Sequence, residues 1–315
     1  MTPLGVETHG ARRLFVLLGA LALVALAPPA LAFGLGGSWY SYAAASPGGG
    51  SGLPDEEASA TRVLRVCADP DNLPYSKRDG SGFENRIAAV VAGALKAKLE
   101  YVWLPQDRGF LRRTLGANAC DALIGVPAGM ASVLTTRPYY RSSYVFVNRA
   151  GGSAPPLRSF DDARIGQWRI GVPLSGGEIA ATAGYALARA GAGGNVVAFE
   201  PSADAPAAER MLDALARGTL DAALVWGPQA GYFARRAATP LRLEPAEPPA
   251  GFESGFEASI AMGVARGHEM LRAALDRALD AHRQEIDAIL TSYAVPRTDR
   301  PLRRVAQERV EAERR

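Results

Sequence analysis

The residues best equipped for chemistry sit in one short stretch. Asp69-Pro-Asp-Asn72 offers oxygen ligands on three of four consecutive side chains, just ahead of Pro74 and Tyr75. Such a cluster could hold a hard cation, but Pro70 and the absence of a full calcium-loop spacing count against it. The plainer reading is a turn in which Asp69 and Asn72 bond local backbone, and no metal is expected. Nucleophilic chemistry is poorly supplied. Of three His, His9 falls in the targeting segment described below, and His268 and His282 lie on or beside a late helix. There is no Gly-x-Ser-x-Gly and no Cys–His arrangement near an apparent site, so an enzyme is not expected. Pro173-Leu-Ser-Gly-Gly177, with Ser175 at its centre, stands between a strand and a helix and could receive an anion on backbone N–H groups. It reads equally well as an ordinary glycine-bearing turn and N-cap. Tyr75, Trp103, Tyr139, Tyr140 and Trp226 fall at inferred strand ends. Any one alone reads as core; together they suggest a wide, largely apolar cleft.

The elements that must position these residues follow from periodicity. Val63, Leu64, Val66, Cys67 and Ala68 form the apolar run of a strand buried on both faces, broken by Asp69 and the prolines. From Gly82 to Leu95, Phe83, Ile87, Val90, Val91, Ala94 and Leu95 line one face of a helix. Further strands are expected at 99–104, 122–126 and 139–147, with a short helix from Phe110 to about Gly116. After Ala150-Gly-Gly-Ser-Ala-Pro-Pro156 the β-α pattern starts afresh. It gives strands at 169–172, 196–199, 220–226 and 259–264, and helices at 177–190, 207–217, 230–236, 269–281 and 283–293. A Pro-rich passage, Pro240 to Pro249, separates the last of these strands from the rest. Strand, polar loop and helix in alternation describe an α/β protein, whose ligands sit beyond the strand carboxyl ends.

The bounds are ordinary. A chain of 315 residues has room for about two domains. Residues 297–315 carry seven Arg against four acids, which alone accounts for the net charge of +3, so neither nucleic acid nor an acidic surface is called for. Arg12-Arg13, the apolar run Leu14–Leu26 and Ala30-Leu31-Ala32 have the form of a signal peptide cleaved after Ala32, too short to favour a membrane span. The twin arginines leave two export routes open. Residues 33–61, rich in Gly, Ser, Ala and Pro, read as a flexible linker. Periplasmic export would permit a disulfide between Cys67 and Cys120, the only cysteines. Cys67 lies late in its strand and Cys120 at the start of another. As parallel neighbours they would stand toward opposite ends, and a free pair is expected.

Several longer motifs carry a family resemblance. Leu64–Tyr75, Gly82-Phe-Glu-Asn85, Pro105-Gln-Asp-Arg-Gly-Phe110, Gly125-Val-Pro-Ala-Gly129 and Thr135-Thr-Arg-Pro-Tyr-Tyr-Arg-Ser-Ser-Tyr-Val-Phe146 resemble the J-protein family of methanol oxidation (MoxJ/XoxJ type). The resemblance extends over about 62–296, through Ile289-Leu-Thr-Ser-Tyr-Ala-Val-Pro296. It implies a two-lobed periplasmic binding protein-like (type II) fold, each lobe an open sheet flanked by helices. Lobe 1 would comprise 62–147 plus 258–296, and lobe 2 148–257, with 297–315 a charged tail. It also implies a periplasmic accessory of a PQQ-dependent methanol or alcohol dehydrogenase, acting in that enzyme's activation or assembly beside its c-type cytochrome. No cofactor of its own and no membrane span in the mature protein are expected. The alternative is a transporter's periplasmic receptor for a small solute.

Departures from the solute-binding pattern bear on that alternative. Amino-acid binders of the superfamily hold the ligand carboxylate with an Arg after the third strand, yet no Arg or Lys lies between Gly125 and Thr136. The second-lobe Asp that would meet the ammonium group is replaced at its slot by Trp226. A buried zwitterion without charged partners costs several kcal/mol, so a free amino acid is a poor ligand. Asp69, Asn72, Tyr75, Trp103, Arg108, Tyr140, Ser175 and Trp226 are expected to border one groove between the lobes.

Overall fold

The structure is a computed structural model and describes residues 62–152, 154–175, 178–179, 181–202, 205–252 and 255–299. The expected signal peptide and linker, Gly176-Gly177 and most of the expected charged tail lie outside the described residues.

The first strand, β1 (Val63–Ala68), is central, with parallel partners β4 (Lys98–Trp103) and β5 (Ala122–Pro127) on its two sides. Between β1 and β4 come a small hairpin, β2 (Asp71–Asn72) and β3 (Ser76–Lys77), and helix α1 (Phe83–Ala94). The Leu73–Pro74 peptide in that hairpin is cis. α1 is capped at Gly82, whose N–H donates to Asn85 Oδ1 at 3.2 Å, half of a capping box. It buries Phe83, Ile87, Ala88 and Val91 on the sheet, as its apolar stripe requires. A short helix α2 (Phe110–Arg113) and one 3-10 turn (Leu115–Ala117) lead to β5, and β6 (Leu134–Thr135) follows it.

The long strand β7 (Tyr140–Arg149) joins two halves of the sheet. Its residues 140–143 pair with β13 (Glu257–Val264), and residues 144–147 pair with β11 (Ala222–Trp226). Beyond β11 lie β8 (Ile170–Ser175) and β10 (Val196–Phe199). The helices of this half are α3 (Ala181–Arg189), α4 (Ala207–Ala216) and α5 (Gly227–Ala234). The resulting 11-stranded sheet runs β10-β8-β11-β7-β13-β5-β1-β4, with β6 branching off β13 and two further short strands, described below, branching off β7 and β8. Helices α6 (Glu269–Ala281) and α7 (Arg283–Ser292) close the described chain against α1.

Three expectations are corrected. Cys67 and Cys120 form a disulfide, with Cα atoms 5.6 Å apart. β5 begins only at Ala122, so Cys120 is not on the ladder and register does not set its height along the sheet. Arg65 and Asp121 clamp the entry to β5 through an ion pair at 2.7 Å and two bonds from backbone N–H groups. Cys120 thereby turns under the face toward which Cys67 points, into a cluster with Phe110, Leu115 and Leu123. The second correction lies after Leu174. Instead of a direct strand-to-helix turn, β9 (Glu178–Ile179) folds back on Leu174–Ser175, and α3 begins at Ala181 rather than 177. The third is β12 (Leu241–Pro245), a strand inside the Pro-rich passage that pairs only with β7, an edge position that tolerates Pro245.

The largest core is shared by the two halves. Leu64, Val66 and Phe83 belong to the same cluster as Met211, Leu212 and Val225. Among the described residues no helix is long and apolar enough to cross a membrane.

Candidate functional site

The loop after β1 is held by its own acids and amides. Asp69 accepts the Asp71 N–H on Oδ1 at 2.9 Å and the Gln106 N–H on Oδ2 at 2.6 Å. Asn72 Nδ2 donates to Gln106 Oε1 at 3.0 Å, and Ser76 Oγ donates to the Asp69 carbonyl at 2.8 Å. Asp69 and Asn72 therefore tie this loop both to local backbone and to the β4–α2 connection 37 residues away. Arg108 lies exposed on that same connection.

Aromatic side chains converge where β7 exchanges β13 for β11. Tyr144, opposite Trp226 in the ladder, packs edge-on against the Trp226 ring at 5.3 Å and tilted against Phe256 at 5.5 Å. Tyr75 packs on Phe83 at 5.5 Å. Burial holds the Tyr75 phenol well above its ordinary range, with further contributions from the neighbouring Glu84 and Tyr144. The rings packed together at the exchange are Tyr144, Trp226 and Phe256, while Tyr75 packs on Phe83 and feels Tyr144 only electrostatically. Tyr144 itself was hidden within a strand-like run of aromatics, and only its place at the partner exchange distinguishes it.

Other expected rim residues are placed elsewhere. Tyr140 is 3% exposed and packs on Phe83 and Tyr139, so it backs the site as core and does not border it. Trp103 ends the edge strand β4, stacked on Tyr101 at 4.6 Å beneath the Arg78 guanidinium. Its strand belongs to the β1–β5 half of the sheet and that of Trp226 to the β8–β11 half. Ser175 pairs through its backbone with Glu178, which puts a hairpin where a helix N-terminus was expected.

Glu84 lies within the Gly82-Phe-Glu-Asn85 motif, yet no role was expected of it. It is 6% exposed at the second position of α1, and burial pushes its carboxyl up from 4.5 to about 8. The dipole of a helix N-terminus favours the carboxylate by about 1 kcal/mol, so desolvation is the larger effect. Gly125, at φ +78°, leaves the space it fills; a Cβ there would overlap Glu84 Oε1. The available signal was an acid on the apolar stripe of α1, four residues before Ala88.

No family model matches the chain. Among solved structures it is similar to "periplasmic binding protein XoxJ" from Methylobacterium extorquens AM1, at 34% identity and a TM-score of 0.61, covering 75% of this chain and 99% of that one. Its class is therefore the α/β fold of the periplasmic binding proteins. Protein MoxJ of Methylorubrum extorquens is 32% identical over 293 residues, 87% of this chain and 91% of that protein. Protein MoxJ of Paracoccus denitrificans is 33% identical over 248 residues, 75% of this chain and 89% of that protein. The chain belongs to the MoxJ family.

Proposed function

We propose that this protein is a periplasmic accessory of a PQQ-dependent methanol or alcohol dehydrogenase, serving that enzyme's activation or assembly beside its c-type cytochrome, and is not itself an enzyme. Family membership supports the setting. The observation that supports the site is the packing of Tyr144, Trp226 and Phe256 at the partner exchange in β7, where solute receptors would keep charged anchors. Aromatic side chains with a nearby Arg are the usual anchors of protein interfaces. In this reading the two halves of the sheet act as lobes that meet at β7 and β13. A segment of the dehydrogenase docks on Tyr75 and Trp226, with Arg108 at the rim.

Export follows from the signal-like segment, cleaved after Ala32, and the disulfide suits an oxidising compartment. N-terminal sequencing of the protein recovered from periplasm should begin at Phe33.

Deleting the gene should abolish dehydrogenase activity in periplasmic extract while the dehydrogenase transcript persists. Full activity in the deletion strain would end the accessory reading. Trp226→Ala with Tyr75→Ala should reproduce part of the loss while the purified variant keeps its circular dichroism spectrum. A folded variant with full activity would move the contact surface away from these rings.

A further inference from the structure

Beside the disulfide, a small chamber is lined by Cys67, Ala68, Asp69, Ser76, Glu84 and Gln106, among others, with room for about one water-sized group. Glu84 borders it, more than nine-tenths buried, and among the described residues no donor hydrogen-bonds its carboxyl. The phenols that feel its charge are Tyr75 in the β1–α1 loop, Tyr101 on β4, and Tyr139 and Tyr140 at the start of β7. None satisfies it: Tyr101 Oη donates instead to the Asn85 carbonyl at 3.1 Å, and Tyr139 Oη is buried without a partner. No basic side chain contributes to its titration. A buried carboxyl left unpaired beside a cavity is an incomplete ion pair.

We propose that this chamber is a binding site for a primary ammonium group, which the Glu84 carboxylate neutralises. An –NH3+ group matches a water in size and carries three donors. Glu84, the Ser76 Oγ (whose own proton goes to the Asp69 carbonyl) and Gln106 Oε1 supply acceptors around one small volume. Asp69, on the same wall, adds a second negative charge. Exposed Gln106 gives the chamber a solvent-side wall, so a slender alkyl chain is the natural carrier. The ammonium belongs either to a lysine side chain of a protein or to a free alkylamine. The inference stands apart from the accessory reading, because it concerns the purified chain alone.

The test is an NMR titration of the mature protein with methylammonium chloride, following the amides of Asp69, Ser76 and Glu84. Saturable shifts are expected, with a Kd on the order of 1 mM at pH 8.5. The amine stays charged throughout while Glu84 must lose its proton, so apparent affinity should rise about tenfold per pH unit between pH 6 and 7 and level off above pH 8. Glu84→Gln, checked as folded by its spectrum, should lose both the binding and its pH dependence. Nα-acetyl-lysine amide, run in parallel, separates the sources: equal or tighter binding points to a protein lysine, and binding of methylammonium alone to a free amine. Absence of saturation at about 100 mM, unchanged affinity in Glu84→Gln, or equal shifts from sodium or tetramethylammonium would each overturn the assignment.

Discussion

Glu84 is a buried acid whose ionisation burial opposes. Its folded-state pKa is raised, so the folded protein holds the proton more tightly than the unfolded chain does. Stability is fully present below about pH 4.5 and is lost as pH rises toward about 8. Each unit in that window costs about 1.4 kcal/mol, on the order of 5 kcal/mol in all. Urea unfolding of the wild type from pH 5 to 8.5 should show this decline relative to Glu84→Gln, whose amide does not titrate. Parallel profiles for the two proteins would mean that the carboxyl ionises as easily in the fold as in the unfolded chain. Gly125→Ala should be costly at any pH, since its Cβ would overlap Glu84 Oε1 at a positive φ. A loss of about 2 kcal/mol or more is expected in the same unfolding assay. Trp226, in the slot of a receptor's ammonium-binding Asp, bears on ligand choice. Calorimetry with the twenty amino acids should find nothing tighter than roughly 1 mM.

The disulfide closes a long segment: Cys67 and Cys120 are 53 residues apart in sequence, and their bond spans α1, β4 and α2. On chain-entropy grounds, Cys67→Ser with Cys120→Ser should lower unfolding free energy by about 4 kcal/mol, read from the urea midpoint. An unchanged midpoint would show that the Arg65–Asp121 clamp and the surrounding apolar cluster already fix this region. These elements also show what sequence reading reaches. β1, α1, β5, β10, α4, α6 and α7 were legible because each repeats apolar residues at its own period over enough length to bury a face. The disulfide was misread because it depends on Cys120 leaving the ladder, a tertiary matter. β12 was missed because prolines mask a strand whose pairing is one-sided. The two-residue pairs β2–β3 and β8–β9 carry no period at all. Tyr75 and Trp226 were legible as loop-proximal aromatics. Tyr140 misled because burial is decided by helix α1, which covers it with Phe83.

The two halves of the sheet are tied together where β7 changes partners by the end of the described chain. Ser142 Oγ donates to the Pro296 carbonyl at 2.7 Å, and the Thr298 N–H donates to the Arg141 carbonyl at 3.2 Å. Thr298 Oγ1 reaches Glu257 at 2.7 Å. On the other side Tyr293 stacks on Tyr232 of α5 at 5.7 Å, and Arg235 donates to the Ser292 carbonyl at 3.0 Å. Buried Arg297 pairs with Asp287 and Asp299. Gly231 permits this approach, because a Cβ there would overlap the Ala294 carbonyl oxygen. Gly231→Val should therefore unseat the strap and cost about 3 kcal/mol, seen as a lowered Tm. An unaltered Tm would mean that the strap moves aside freely.

One strand sets the order in which the molecule can be made. β13 lies between β5 and β7, yet it emerges some 110 residues after β7 has been synthesised. Until then β5 and the first part of β7 present open hydrogen-bonding edges flanked by apolar faces, the template on which strands of other chains add. The nascent protein is thus exposed to its own kind for about a third of its synthesis, and its early half depends on being shielded until the last strand arrives. A fragment ending at residue 256 should consequently be recovered as aggregate, while the chain extended to residue 299 stays in solution.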